Sequence, residues 1–141
     1  MQFASVRVIT EDVRRLVEFW EQATGVEARW LAEQFAELVT PSCTLAIGSV
    51  ETMALFSPGA AVPRSNRTVI LEFLVEDVDR EHERLTALAA APEVVQKPTT
   101  MPWGNRSLLF RDPDGNLVNF FTPVSDEARA RFGKTPGSGV E

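Results

Sequence analysis

Residues 107–123 read SLLFRDPDGNLVNFFTP, two apolar stretches around a short polar turn. This pattern constrains the chain more than any other part of it, because it specifies a β-hairpin. Asp112 is placed to accept local backbone N–H groups, Pro113 fixes φ, and Gly115 permits a positive φ. Such a turn sets the register of the strand that follows. Asp112 and Asp114 are therefore read as turn residues and not as catalytic acids.

The remaining elements fall into two similar series. Residues 3–9 alternate as a strand. Thr10 or Asp12 then caps a helix with Val13, Leu16, Val17 and Trp20 at helical spacing, widened by Phe19, and Gly25 stops it. Strands follow over 26–31 and 35–39. Residues 44–47 and 52–56 flank GSVE as a hairpin, and the turn-rich SPGAAVPRSN (57–66) reads as a connector. The second series begins with a strand over 67–75 and a helix running to Ala90, with Val78, Leu85, Leu88 and Ala89 on its apolar face. Pro92 ends that helix. A short strand begins at 94–95, PTTMPWGN forms a loop, and strands 106–111 and 117–121 complete the set. The tail GKTPGSGVE reads as mobile. The halves share a strand that ends in acids before a helix, VRVITEDVRRL and LEFLVEDVDREHERL.

The chain has 141 residues, 44% of them hydrophobic, enough for a full core. Twenty acidic residues oppose fourteen Lys and Arg, and the formal charge of −6 argues against nucleic acid as a partner. The lone Cys43 has no internal disulfide partner and lies in apolar surroundings, where it reads as a small buried hydrophobe. No run approaches the length of a membrane span and no leader pattern opens the sequence, so a soluble, cytoplasmic protein is expected.

Three segments, ITEDVRRLVEFWEQATG, FLVEDVDREHERL and FRDPDGNLVNFF, occur in an order and at a spacing that resemble the vicinal oxygen chelate superfamily. That superfamily includes glyoxalases, extradiol dioxygenases and bleomycin-resistance-type binding proteins. The resemblance covers about residues 3–123. It implies an α+β fold in which two tandem βαβββ modules, about 3–57 and 67–123, form a curved mixed-sheet cup. It also implies one domain over 1–125, a C-terminal tail over 126–141, and a homodimer.

Metalloenzymes of this superfamily place His or Glu near the start of the first strand of each module and within the last strand. Carried onto this chain, those positions hold Ser5, Ile70 and Asn119, and the fourth-strand position of the first module falls near Met53 or Leu55. This is a poor donor set for a divalent ion, and no metal or other cofactor is expected. The only histidine, His82, lies in a charged helix and reads as solvated.

Ligand-binding candidates are Arg7, Trp30, Glu72, Trp103, Arg106 and Asn119. Glu72 shares strand parity with Ile70 and reads as a ligand hydrogen-bonding group, an arginine partner or a base, or else as an exposed carboxylate. Trp30 faces inward if alternation holds, and Trp103 sits at a rim, where an indole stacks on planar or cationic ligands or packs its own loop. Trp20 reads as core. Arg7, Arg106 and Asn119 add polar contacts if they point inward. The leading expectation is a metal-free protein that binds or sequesters an aromatic or amphipathic small molecule without chemistry. The alternatives are a lyase, isomerase or dioxygenase-like enzyme with an atypical site, using Glu72 as base and Arg7 or Arg106 against developing negative charge, and a regulatory partner protein with a filled cavity.

Overall fold

A computed structural model describes residues 1–132. It divides into two compact units, one of residues 1–67 with 112–115, the other of residues 68–111 with 116 onward.

In the first unit the order is β1 (Ser5–Thr10), α1 (Val13–Thr24), β2 (Arg29–Ala32), β3 (Phe35–Val39), β4 (Thr44–Ser49) and the short helix α2 (Val50–Met53). The sheet runs β1-β4-β3-β2, with β1 parallel to β4 and the other pairs antiparallel. Asp12 caps α1 by accepting from the Arg15 backbone N–H at 3.1 Å. The apolar stripe Val13, Leu16, Val17, Trp20 and Ala23 is buried, as are Ala36, Leu38, Leu45 and Ile47 of the sheet. Burying a stripe of this width is the main source of helix stability.

The second unit repeats the plan with β5 (Ile70–Leu74), α3 (Val78–Thr86), β6 (Glu93–Thr100), β7 (Asn105–Arg111) and β8 (Leu117–Pro123), followed by α4 (Asp126–Phe132). Its sheet runs β5-β8-β7-β6, again with the first and last strands parallel. Asp77 caps α3 as Asp12 caps α1, accepting from the Arg80 N–H at 3.1 Å. The shared acidic end of the first strand is thus a helix cap in both halves. Leu71, Leu108, Phe110, Val118 and Phe120 form the buried face, with Phe120 edge-on to Phe110 at 4.9 Å and to Phe73 at 5.7 Å.

The tandem βαβββ order is present, but the curved cup is not. Among the described residues each unit contributes one four-stranded mixed sheet, and neither closes or curls. Closure needs a ladder between the outer strands of a sheet. Here β1 and β2 remain edges of one sheet and β5 and β6 edges of the other.

Local expectations also change. Residues 52–56 are not a strand and GSVE is not a hairpin turn. The free side of β4 is already taken by β1, and the chain after Ser49 turns into α2, with Thr52 Oγ1 donating to the Ser49 carbonyl at 2.6 Å. Leu55 and Phe56 consequently remain 85% and 69% exposed. Helix α3 ends at Thr86, short of Ala90. Strand β6 extends through PTT to Thr100, with register shifts on either side of Gln96 that accommodate Pro98. Residues 126–132, expected as tail, form α4. The segment GKTPGSGVE lies outside the described residues.

Candidate functional site

The positions that would hold a metal lie on four strands. Ser5 opens β1, opposite Thr44, and Ile70 opens β5, opposite Leu117. Asn119 lies on β8 opposite Glu72. The sheet register also corrects the fourth position. In the second unit the first-strand residue Glu72 pairs with Asn119, and in the first unit the corresponding Arg7 pairs with Ala46. The last strand of the first unit is β4, so Met53 and Leu55 are not strand positions. Ile70 and Ala46 carry no donor, and the Asn119 amide is directed at Glu72. Among the described residues no group of three or more His, Cys, Asp or Glu is placed to hold a metal ion. The residues present do not fit a divalent metal at these positions.

In the second unit, Asn119 Nδ2 donates to Glu72 Oε2 at 2.8 Å. The amide nitrogen is the donor in this contact and the carboxylate oxygen the acceptor. It leaves Asn119 Oδ1 buried with no hydrogen-bond partner among the described residues. Glu72 itself is exposed. Ladder parity puts this pair on one sheet face with Ile70, Leu74, Leu109 and Phe121. Phe132 of α4 stacks edge-on against Phe121 at 4.9 Å, which places α4 against the same face. The expected sharing of parity by Ile70 and Glu72 is present, and the direct Glu72–Asn119 contact follows from β5 and β8 being parallel neighbours.

In the first unit the guanidinium of Arg7 lies 4.5 Å from the Phe35 ring centroid and 5.3 Å from that of Phe56. Arg7, Ala46 and Glu37 form one cross-strand row. Trp30 is elsewhere. It pairs with Ala36, whose parity is that of buried Ile47, and it meets Arg14 of α1, whose guanidinium lies 5.6 Å from the indole centroid. Trp30 therefore lies on the helix side of the sheet, opposite to Arg7. With Arg14, Leu31, Ala32 and Glu33 it lines an open groove of about 340 Å³. Sequence reasoning misses Arg14, which is one of several charged residues on an exposed helix face. Only the fold brings it to β2.

Trp103 is 59% exposed in the loop before β7, where the Gly104 N–H donates to the Met101 carbonyl at 2.9 Å. Arg106 points to the α3 side of its sheet and makes two hydrogen bonds to Asp79, of 2.9 and 3.0 Å. These bonds hold the Asp79 carboxyl below its ordinary pKa. A lowered folded-state pKa gives stability that is present above the unfolded value and lost as pH falls through the folded one. Asp79→Asn should therefore lower Tm slightly near neutrality, since the pair is exposed to solvent. The difference should vanish in acid, below the usual aspartate range. A gap in Tm that stays constant down to strong acid would show that the ion pair is not its source.

Comparison with known proteins agrees with this architecture. YraH of Bacillus subtilis (strain 168), an uncharacterized protein, is 28% identical over 127 residues, spanning 86% of this chain and 98% of YraH. A glyoxalase/bleomycin resistance protein/dioxygenase from Nocardioides superposes with a TM-score of 0.72 at 24% identity, covering 89% of this chain and 85% of the other. A family enzyme of the same description from Burkholderia phytofirmans PsJN gives 0.76 at 18% identity, covering 88% and 100%. At these identities the two structures speak to fold alone. The model of one family matches residues 2–120, from before β1 to within β8. With the doubled βαβββ order and the parallel first and last strands of each unit, that match assigns the chain to the Glyoxalase/Bleomycin resistance protein/Dioxygenase superfamily.

Proposed function

We propose that this chain is a metal-independent small-molecule-binding protein that sequesters an aromatic or amphipathic compound. The observation that carries this reading is the Glu72–Asn119 hydrogen bond. Where a metal-dependent relative needs a donor free for a cation, this chain has an amide committed to a neighbouring carboxylate, and the companion positions are Ser5 and Ile70. Both sheets nevertheless present aromatic and charged side chains together. Arg7 sits on Phe35 and Phe56, Arg14 on Trp30, and Glu72 with Asn119 on a face shared with Phe121. Mixed surfaces of this kind bind by apolar burial and use a few polar groups for orientation. Trp103, exposed beside β7, is a further contact in this reading.

Native mass spectrometry of protein purified without chelator or added metal should give the mass of the bare chain. In a thermal-shift screen of planar and amphipathic compounds, a ligand at a hundred times its Kd should stabilise the fold by about 2.7 kcal/mol. That is a rise of several degrees in Tm, and EDTA should not change it. One stoichiometric divalent ion, whose removal abolishes ligand binding or a measured turnover, would overturn the proposal.

A further inference from the structure

We infer that the groove at the outer edge of the first sheet binds a planar aromatic monocarboxylate, with Arg14 taking the acid group and Trp30 the ring. This deepens the small-molecule reading, on which it rests, by naming a ligand class for one groove.

The groove is built by a defect in the sheet. Among the described residues strand β2 pairs only with β3, and its register jumps between Trp30, opposite Ala36, and Ala32, opposite Phe35. Leu31 is the extra residue. A bulge of this type bends the strand and redirects side chains at a sheet edge. Here Trp30 is 41% exposed and Leu31 55% exposed, although both are large and apolar. Their surface lines about 340 Å³ of open space, within the range of small-molecule sites.

Two charges border this apolar surface. Arg14, at 5.6 Å from the indole centroid, is held over the ring, and Glu33 lies just past the end of β2. Neither forms an ion pair with another described residue. A guanidinium offers a planar fork of donors that matches a carboxylate, and an indole face favours a flat ring. Glu33 sets a polarity along the groove. It disfavours a second acid and accepts from an N–H or O–H substituent. The ligand class is therefore an aromatic ring with one carboxylate and preferably a hydrogen-bond donor.

The test uses the full chain with 4-aminobenzoate as probe and the indole N–H NMR signals as readout. The Trp30 signal should shift and saturate while that of Trp20 stays fixed. Aniline, which lacks the acid, and terephthalate, which carries two, should each bind at least about tenfold more weakly, the scale of one lost charge-assisted contact. Arg14→Gln should weaken 4-aminobenzoate by about the same factor, and Glu33→Gln should improve terephthalate. The proposal is overturned if aniline shifts Trp30 as strongly as 4-aminobenzoate, if Arg14→Gln leaves the affinity unchanged, or if 4-aminobenzoate moves no Trp30 signal. The comparison among probes needs no variant, so it stands even if a substitution harms folding. Should 4-aminobenzoate fail while other compounds stabilise the metal-free chain, this inference falls and the wider reading stands. Should binding require a stoichiometric divalent ion, the wider reading falls.

Discussion

Trp20→Ala is expected to destabilise the protein by about 3–5 kcal/mol, the usual cost of deleting a large buried aromatic. Trp20 is fully buried in the first unit and meets Phe19 edge-on at 5.7 Å. Its indole Nε1 also donates to Asp112 Oδ2 at 3.3 Å. Asp112 is itself buried, and its Oδ1 accepts from the Asp114 N–H at 2.9 Å. Removing the indole thus opens a cavity and takes a donor from a buried carboxylate. Trp20→Phe separates the two effects. It keeps most of the packing and loses the N–H, for which about 1–3 kcal/mol is expected. Urea unfolding of the three proteins, followed by far-UV circular dichroism, measures both steps. A loss below about 1 kcal/mol for Trp20→Ala would mean that the helix and turn repack without it, contrary to the geometry.

That hydrogen bond also marks the limit of what a sequence reveals. Trp20 as core and the Asp112–Gly115 turn are both legible from local pattern, because helical spacing and turn chemistry act over a few residues. Their contact joins positions 92 apart in the chain, and nothing local encodes it. The same division runs through the fold. The capped helices and the β7–β8 hairpin follow from neighbouring residues. The fate of residues 52–56 does not, because it depends on β1 occupying the free edge of β4. Helix α4 is hidden for another reason. DEARARF has the composition of a solvated tail, and its support comes from buried Ala128 and from Phe132 on Phe121.

The candidate site divides in the same way. Strand parity is enough to put Glu72 on the face of Ile70, but only the parallel pairing of β5 and β8 brings it to Asn119. Trp30 is legible as a strand indole. Its side of the sheet is not, because a bulge at Leu31 and the approach of α1 decide it. Arg106 reads in the sequence as a polar contact for a ligand, and its carboxylate partner Asp79 lies 27 residues away along the chain.

Gly104, beside Trp103, should be costly to replace. Its φ is +89°, and a Cβ there would overlap Ser125 Oγ and lie 2.8 Å from Ser125 Cβ and 3.1 Å from Ala128 Cβ. Gly104 O accepts from the N–H groups of Val124 and Ser125, at 2.8 and 3.2 Å, and Ser125 Oγ accepts from the Ala128 N–H at 3.1 Å at the start of α4. The glycine cannot move away without breaking these bonds. Left-handed strain of about 1–2 kcal/mol and overpacking of about 1–3 kcal/mol give an expected cost of about 2–5 kcal/mol for Gly104→Ala. Gly115→Ala isolates the first contribution, because Gly115 has φ +82° and a methyl group added to it would meet none of the described residues within 4 Å. It should cost only about 1–2 kcal/mol. Adding Ser125→Gly to Gly104→Ala removes the overlapping atoms and should recover part of the difference, measured as the coupling energy of a double-mutant cycle. Equal costs at the two glycines, with no coupling to Ser125, would show that α4 shifts freely and does not hold the Trp103 loop in place.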